Sequence, residues 1–168
     1  TVVASTGAAA ILVRGRTFHS FFGLGILQGG PKRVIDQALK NSRLRKRIRD
    51  CDCLVIDEVS MLSREAFETA EAIARAVRGD DRPWGGVRII VVGDFAQLPP
   101  ISKNKEKDWC FLSLAWRFSR FQTASLVEVI RTEDQTFLEI LEHIRHGKTT
   151  SEVEAFLNSR LLYDEELE

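Results

Sequence analysis

The sequence contains few cysteines, and they form no recognisable pattern. Cys51, Cys53 and Cys110 are the only three, and no pair has CxxC spacing. An odd number of cysteines without such a pair argues against a disulfide framework and against a zinc site. Cysteines used in this way fit a reduced, intracellular compartment.

The sequence also lacks long apolar runs and any excess of one charge. No run reaches the length of a membrane span, so we predict a protein that does not enter a membrane. Lys and Arg together number 24, as do Asp and Glu, which gives zero net charge. Any nucleic-acid site must therefore be a local patch. The 168 residues, 44% of them hydrophobic, suffice for one domain with a core, or one domain with an appendage.

A phosphate-binding P-loop is also missing. The closest stretch, residues 25–33, has two glycines five apart and a nearby Lys32. Pro31 removes an N–H that should face phosphate, and Arg33 stands where the motif needs a hydroxyl. We interpret Gly29-Gly30-Pro31 as a loop with Pro at the first position of the helix that follows. No other stretch fits a P-loop.

The clearest signal is a pair of short apolar runs that each end in acid. Cys53–Ile56 runs into Asp57 and Glu58, and Ile89–Val92 runs through a glycine into Asp94. Runs of this kind are typical of strands in a parallel sheet. Their carboxyl ends would meet at the edge where α/β proteins bind ligands. Adjacent carboxylates there suit a hydrated Mg²⁺ ion and a phosphate-bearing ligand.

Further elements complete an α/β pattern with a mainly parallel sheet. A helix from Ser63 to about Arg78 joins the two acidic strands into a right-handed βαβ unit. Val2–Ala4 predicts another buried strand, followed by a helix over Ala8–Val13. Leu126–Ile130 predicts a third apolar strand, which ends at Arg131.

Three other features each allow a structural and a functional interpretation. Thr6 can contact a phosphate at the sheet edge, or simply cap the helix that follows it. The aromatic segment of residues 15–25 can stack on bases, or its Phe18, Phe21 and Phe22 are core residues around a buried His19. The basic run of residues 40–50 can bind nucleic acid, or form one solvated helix face.

The acids also allow two interpretations, since carboxylates at strand ends occur in structural ion-pair networks as well. In combination they match the parts that a nucleoside triphosphatase needs besides its P-loop. Asp57 would hold Mg²⁺, and Glu58 would orient and deprotonate the attacking water. Gln97, which follows Asp94 in a Gly-Asp-x-x-Gln pattern, would sense the γ-phosphate. Arg131 would neutralise charge in the transition state.

Five segments in order resemble the motifs of the Pif-type DNA helicases, relatives of the RecD helicases. Residues 4–10 resemble a DNA-contacting motif, and residues 15–23 resemble the family's Gly-x-Thr-x-His-Ser segment. Residues 55–62 are similar to its Walker B motif, and residues 92–100 to its third helicase motif. The fourth motif is similar to residues 129–134. The resemblance covers nearly the whole chain.

The resemblance implies a RecA-like P-loop NTPase fold and an ATP-dependent helicase that moves 5′ to 3′ on single-stranded DNA. ATP and Mg²⁺ are the implied cofactors, with Asp94, Gln97 and Arg131 beside Asp57 at the nucleotide. Duplex or quadruplex DNA is the implied substrate, in repair, recombination or telomere maintenance. The residues implied to lie beside DNA are Thr6, Gly7, Thr17, His19, Ser20 and Phe21.

The chain departs from the family pattern at two positions: Ser5 stands in place of Pro, and Thr132 in place of Gln. We expect residues 1–148 to belong to the first motor domain and residues 149–168 to form a helix and linker. The P-loop and the second motor domain are expected outside this chain, which alone should not hydrolyse ATP.

The resemblance also sets expectations for the protein in the cell. We expect a monomer in the nucleus or mitochondrion of a eukaryote, or in the cytoplasm of a prokaryote or virus. Two other functions stay open at this point. One is a nucleic-acid-binding module without ATPase activity, and the other is a P-loop ATPase that acts on protein partners.

Overall fold

The computed structural model describes residues 1–101, 108–130 and 132–161. The chain divides into two compact units, Thr1–Gln122 and Thr123–Glu168. The predicted boundary after residue 148 lies inside the second unit, between its two helices, and stays a prediction about the longer protein. Among the described residues, no helix has both the length and the apolar character needed to cross a membrane.

The described residues of the first unit form four strands and six helices. The strands are β1 (Val2–Ala4), β2 (Arg16–Thr17), β3 (Cys53–Asp57) and β4 (Arg88–Val91). The helices are α1 (Gly7–Leu12), α2 (Phe18–Phe22), α3 (Gly30–Lys40), α4 (Ser42–Arg49), α5 (Arg64–Arg78) and α6 (Leu114–Ser119). Short 3₁₀ turns cover Val59–Met61, Pro83–Gly86 and Cys110–Leu112. The second unit contains α7 (Gln135–Arg145) and α8 (Ser151–Asn158).

The four strands form one sheet in the order β2-β1-β3-β4, and each neighbouring pair is parallel. Ala4 lies opposite Asp57, and Ile56 lies opposite Val91. The prediction of an α/β fold with a parallel sheet is therefore confirmed. This register brings the carboxyl ends of β1, β3 and β4 to one edge.

Helix α5 shows how local sequence determines this architecture. The Ser63 hydroxyl accepts a hydrogen bond from the Ala66 N–H (3.2 Å), and Gly79 ends the helix in the left-handed conformation. Its predicted apolar stripe is buried throughout: Ala66, Phe67, Ala70, Ile73, Ala74 and Val77. The Phe67 ring contacts the buried Trp84 ring at a centroid distance of 4.9 Å, so α5 forms the centre of the core.

Helices α3 and α4 form where the sequence has helical spacing. A loop and a helix start are confirmed in residues 25–33, but α3 begins at Gly30, so Pro31 is its second residue and not its first. Leu44 and Ile48 are the buried residues of α4. The basic side chains of this helix are not all solvated, because Arg47 and Arg49 donate hydrogen bonds to backbone carbonyls of other elements.

The strand predicted for Leu126–Ile130 is wrong. Residues 121–130 form no helix or strand, and both Leu126 (96% exposed) and Val127 (88%) face solvent. An extended segment becomes a strand only where a neighbour takes up its N–H and C=O groups. The described part of the second unit contains two helices and no strand that could do so.

Candidate active site

Backbone hydrogen bonds beyond the strand ends hold the acidic segments together. The Val92 N–H donates to the Ile56 carbonyl (2.8 Å), and the Val59 N–H donates to the Val92 carbonyl (3.0 Å). On the other side of β3, the Ser5 N–H donates to the Asp57 carbonyl (3.2 Å). The segments that follow β1, β3 and β4 are therefore joined at one edge, as the sequence predicted.

Asp57 and Glu58 are half-buried and linked to each other. The Glu58 N–H donates to Asp57 Oδ1 (3.0 Å), which fixes the orientation of that carboxylate. Glu58 adopts a left-handed backbone conformation (φ 52°, ψ 43°) that is costly for a residue with a side chain. Residues held in such conformations are concentrated at functional sites.

Asp94 begins a tight turn that ends at Gln97. Asp94 Oδ1 accepts a hydrogen bond from the Ala96 N–H (3.0 Å), and its backbone carbonyl accepts one from the Gln97 N–H (3.0 Å). The Gln97 amide Nε2 donates to Asp94 Oδ2 (3.2 Å) although the residue is exposed. Gln97 is thus folded back on Asp94.

Phe95 anchors the turn to the core, a role that the Gly-Asp-x-x-Gln pattern left unassigned. Its ring contacts Phe111 and Trp116 at centroid distances of 4.8 and 5.7 Å. Trp116 in turn contacts Phe67 of α5 (5.7 Å) and Phe121 (4.7 Å). The aromatic character of residues 109–121 was the signal for this cluster, because those rings require partners.

Gly93 allows the close approach of the two acidic segments. A Cβ at this position would lie 3.0 Å from the Val59 backbone nitrogen and 3.1 Å from Val59 Cγ1. Val59 directly follows Glu58, so a side chain at position 93 would displace the acidic segment. Contact distance, and not its φ angle, therefore favours glycine here, because a methyl group would need Val59 to shift by a few tenths of an ångström.

We predict that Gly93→Ala destabilises the chain by about 1–3 kcal/mol, as overpacking does elsewhere. Urea unfolding of the 168-residue chain measures this effect. Gly7→Ala is the matched control for stability, because nothing lies within 4 Å of a Cβ at Gly7, on the first turn of α1. Equal unfolding midpoints for Gly93→Ala and the unaltered chain would contradict the prediction.

The residues predicted to lie beside DNA are placed mainly at helix starts. The Thr6 hydroxyl accepts from the Ala9 N–H (3.2 Å), and the Thr17 hydroxyl accepts from the Ser20 N–H (3.1 Å). Both are N-caps, so capping accounts for each hydroxyl without a ligand. Gly7 and Ser20 are exposed, and a contact of these residues with DNA stays a prediction.

The structure corrects the prediction that the Phe21 ring stacks on a DNA base. Phe21 and Phe22 are each 2% exposed, and their ring centroids lie 4.9 Å apart in an edge-on contact. Phe18 is completely buried. A ring needs an exposed face to stack on a base, so these rings are core residues. His19 is half-buried, and burial lowers the pKa of its imidazole.

One predicted residue cannot be placed, since Arg131 lies outside the described residues. Another residue makes an unforeseen contact: Arg47 of α4 donates to backbone carbonyls of α2. No positional signal in the sequence indicates this contact, because Arg47 stands among several similar basic residues.

Comparisons with known proteins agree with the resemblance to the Pif-type helicases. A family model described as PIF1-like helicase matches residues 1–155. An ATP-dependent DNA helicase Pif1 from Bdellovibrio bacteriovorus is 49% identical over 160 residues, which are 95% of this chain and 36% of that protein.

Solved structures are also similar, and two serve as examples. The Pif1 helicase from Candida albicans superposes with a TM-score of 0.88 at 35% identity, over 96% of this chain and 38% of that one. The Pif1 helicase from Bacteroides in complex with ADP-AlF3 and ssDNA gives 0.78 at 29% identity, over 91% and 38%.

The chain thus spans little more than a third of these relatives. Their fold confirms the predicted RecA-like class. The match extends over both acidic strands and the segments that follow β1 and β2, and the chain belongs to the PIF1-like helicase family.

Proposed function

We propose that this chain is part of the motor of an ATP-dependent DNA helicase that moves 5′ to 3′ on single-stranded DNA. The observation that carries the proposal is the hydrogen bond between the Ser5 N–H and the Asp57 carbonyl (3.2 Å). It joins the acid pair proposed for ATP to the start of the Thr6–Gly7 segment proposed for DNA. A movement of Asp57 caused by ATP would therefore be transmitted through this hydrogen bond to Ser5, which directly precedes Thr6.

The chemistry proposed for the acid pair is activation of water. Glu58 takes a proton from the water that attacks the γ-phosphate. The left-handed backbone conformation of Glu58 determines the direction of its Cα–Cβ bond. Asp57 accepts a hydrogen bond from the Glu58 N–H, which orients the Asp57 carboxylate beside Glu58. Arg131 neutralises charge that develops on the phosphate.

Mg²⁺ is the proposed metal, and Asp57 is the residue that would hold it. Within the described residues, no group of three or more His, Cys, Asp or Glu side chains could hold a metal ion. A single protein carboxylate, that of Asp57, fits Mg²⁺, because this ion keeps several waters and is bound by one or two carboxylates plus substrate phosphates. When bound, the ion supplies positive charge to the β- and γ-phosphates.

Gln97 is proposed to couple nucleotide state to the rest of the domain. Its amide leaves Asp94 Oδ2 when a γ-phosphate offers a stronger acceptor. Phe95 lies inside the same turn and contacts Trp116, so a movement of the turn displaces α6. We propose that this movement links hydrolysis to translocation.

We further propose duplex and quadruplex DNA as substrates of the longer protein, which acts as a monomer. Its proposed location is the nucleus or mitochondrion of a eukaryote, or the cytoplasm of a prokaryote or virus. The family membership supports these proposals, and the three reduced cysteines agree with an intracellular location.

The test uses the full-length protein that carries this chain. We predict that an oligothymidylate increases the rate of ATP hydrolysis, and that a duplex with a 5′ single-stranded tail is unwound in preference to one with a 3′ tail. Hydrolysis is followed by phosphate release, and unwinding by separation of a fluorophore from its quencher. A rate that DNA leaves unchanged would favour an ATPase acting on protein, and preference for the 3′ tail would refute the polarity.

A further inference from the structure

Two arginines converge on helix α2 from different elements. Arg16 lies in the edge strand β2 and directly precedes Thr17, which caps α2. Arg47 reaches α2 from α4: its Nη2 donates to the Ser20 carbonyl (3.1 Å), and its Nε donates to the Phe21 carbonyl (3.1 Å). We call the surface formed by Arg16, Thr17, Ser20 and Arg47 the α2 corner.

The guanidinium group of Arg47 is fixed on both sides. Its carbon lies 5.2 Å from the centroid of the Phe21 ring, and its Nε and Nη2 are used by carbonyl groups. Its Nη1 makes no hydrogen bond within the part of the chain that the structure describes. A fixed guanidinium with one unused nitrogen is well prepared to receive an anion.

Within the described residues, no carboxylate forms an ion pair with the arginines of the α2 corner. Several other basic side chains have a carboxylate partner: Lys46 with Asp50, Arg64 with Asp108, Arg75 with Glu71 and Arg82 with Asp80. Arg16 is exposed and forms no ion pair among residues 1–101, 108–130 and 132–161.

The lowered pKa of Arg47 also indicates an excess of positive charge at the α2 corner. It is lowered by burial and, second, by the positive charge of Arg16, and no carboxylate acts against these effects. The two positive charges repel each other, and an anion bound by both arginines removes that cost.

We propose that the α2 corner binds a backbone phosphate of single-stranded DNA through Arg16 and Arg47. This inference rests on the proposed function, because it assigns a subsite to the same DNA strand. The corner also contains Thr17 and Ser20, two residues predicted to lie beside DNA, so the contact extends that segment toward the outer strand of the sheet. Arg47 additionally positions α2 by binding its last carbonyl groups.

A purely structural role for Arg47 makes a different prediction. The last carbonyl groups of a helix need partners, and a side chain that only satisfies them contributes to stability and not to DNA binding. Removal of a side chain that neutralises a phosphate, in contrast, changes the salt dependence of DNA affinity. The dependence of log K on log salt becomes shallower by about 0.7 for each phosphate of a single strand that is no longer neutralised.

The experiment measures binding of a fluorescein-labelled oligothymidylate to the full-length protein between 0.05 and 0.3 M salt, roughly the range in which counterion release dominates affinity. The variants are Arg16→Gln and Arg47→Gln. Arg43→Gln is the matched control: it removes the same charge from α4, but Arg43 is exposed and, among the described residues, forms no hydrogen bond or ion pair with α2.

We expect Arg16→Gln and Arg47→Gln each to reduce the slope by about 0.7 and the affinity by about fivefold at 0.1 M salt, whereas Arg43→Gln changes the slope little. Arg16→Gln keeps the test valid if Arg47→Gln fails to fold, because the Arg16 side chain has no hydrogen bond in the described structure to lose.

Two results would overturn the inference and leave the proposed function intact. One is an unchanged slope for Arg16→Gln in a protein that still binds DNA, and the other is an equal loss for Arg43→Gln, which would show a diffuse charge effect. Absence of DNA binding by the unaltered protein would instead refute the proposed function, and the inference with it.

Discussion

Glu58→Gln in the full-length protein is expected to lower kcat for ATP hydrolysis by about 10²–10⁴-fold while ATP binding stays near its original affinity. Glutamine keeps the size of the side chain but cannot accept the proton of the attacking water. The half-buried backbone of Glu58 is held by the turn of Val59–Met61 and by the hydrogen bond from Val59 to Val92. The substitution therefore changes the chemistry of the group and not its position.

Single-turnover hydrolysis and binding of a fluorescent ATP analogue separate these two quantities. Glu65→Gln is the control, since Glu65 is exposed on the first turn of α5 and the same atom replacement there should leave kcat unchanged. Turnover of Glu58→Gln close to that of the unaltered protein would remove Glu58 from the role of general base. Parallel loss of ATP binding would show instead that the carboxylate acts mainly in holding the nucleotide.

The parts of the fold that sequence predicted correctly are those with a local signal. The strand ending in Asp57 has an uninterrupted apolar run, and α5 has a capping serine, a helical stripe and a terminal glycine. Each of these patterns needs only neighbours along the chain. Because parallel strands place their ends at one edge, the joining of the acidic segments followed from the same information.

The parts that sequence missed depend on partners that are distant along the chain. Strand β2 has two residues, too few for any period, and exists because β1 pairs with it. Leu126–Ile130 has the composition of a strand, but no strand in the described part of its unit pairs with it. The contact of Gln97 with Asp94 is one of several side-chain conformations that the turn allows.

Phe21 shows the same limit in the candidate DNA segment. An aromatic residue beside His19 and Ser20 is equally compatible with a stacked base and with a packed core. In the core position, Arg47, 26 residues away, covers the Phe21 ring and donates to the Phe21 carbonyl. Nothing in the local spacing of residues 15–25 contains that information.

Phe21→Ala is therefore expected to destabilise the 168-residue chain by about 3–5 kcal/mol, the usual cost of removing a buried ring. The ring contacts Phe22 at 4.9 Å and lies under the Arg47 guanidinium, so its removal leaves a cavity and weakens the link between α2 and α4. Urea unfolding measures the change. Phe118→Ala is the matched control, because Phe118 is 65% exposed and its removal should cost no more than about 0.5 kcal/mol.

Phe21→Leu then separates the core role from base stacking. Leucine fills most of the buried volume but has no aromatic face, so a core role predicts DNA affinity within about twofold of the unaltered full-length protein, since a buried ring makes no contact with a base. Stacking predicts a loss of about 1–3 kcal/mol of DNA affinity in a variant that still folds. A loss of that size, with the unfolding midpoint nearly unchanged, would show that the ring leaves the core to meet a base. Retained affinity would leave the DNA contacts at this site to the exposed Arg16 and Ser20 and to Arg47 of α4.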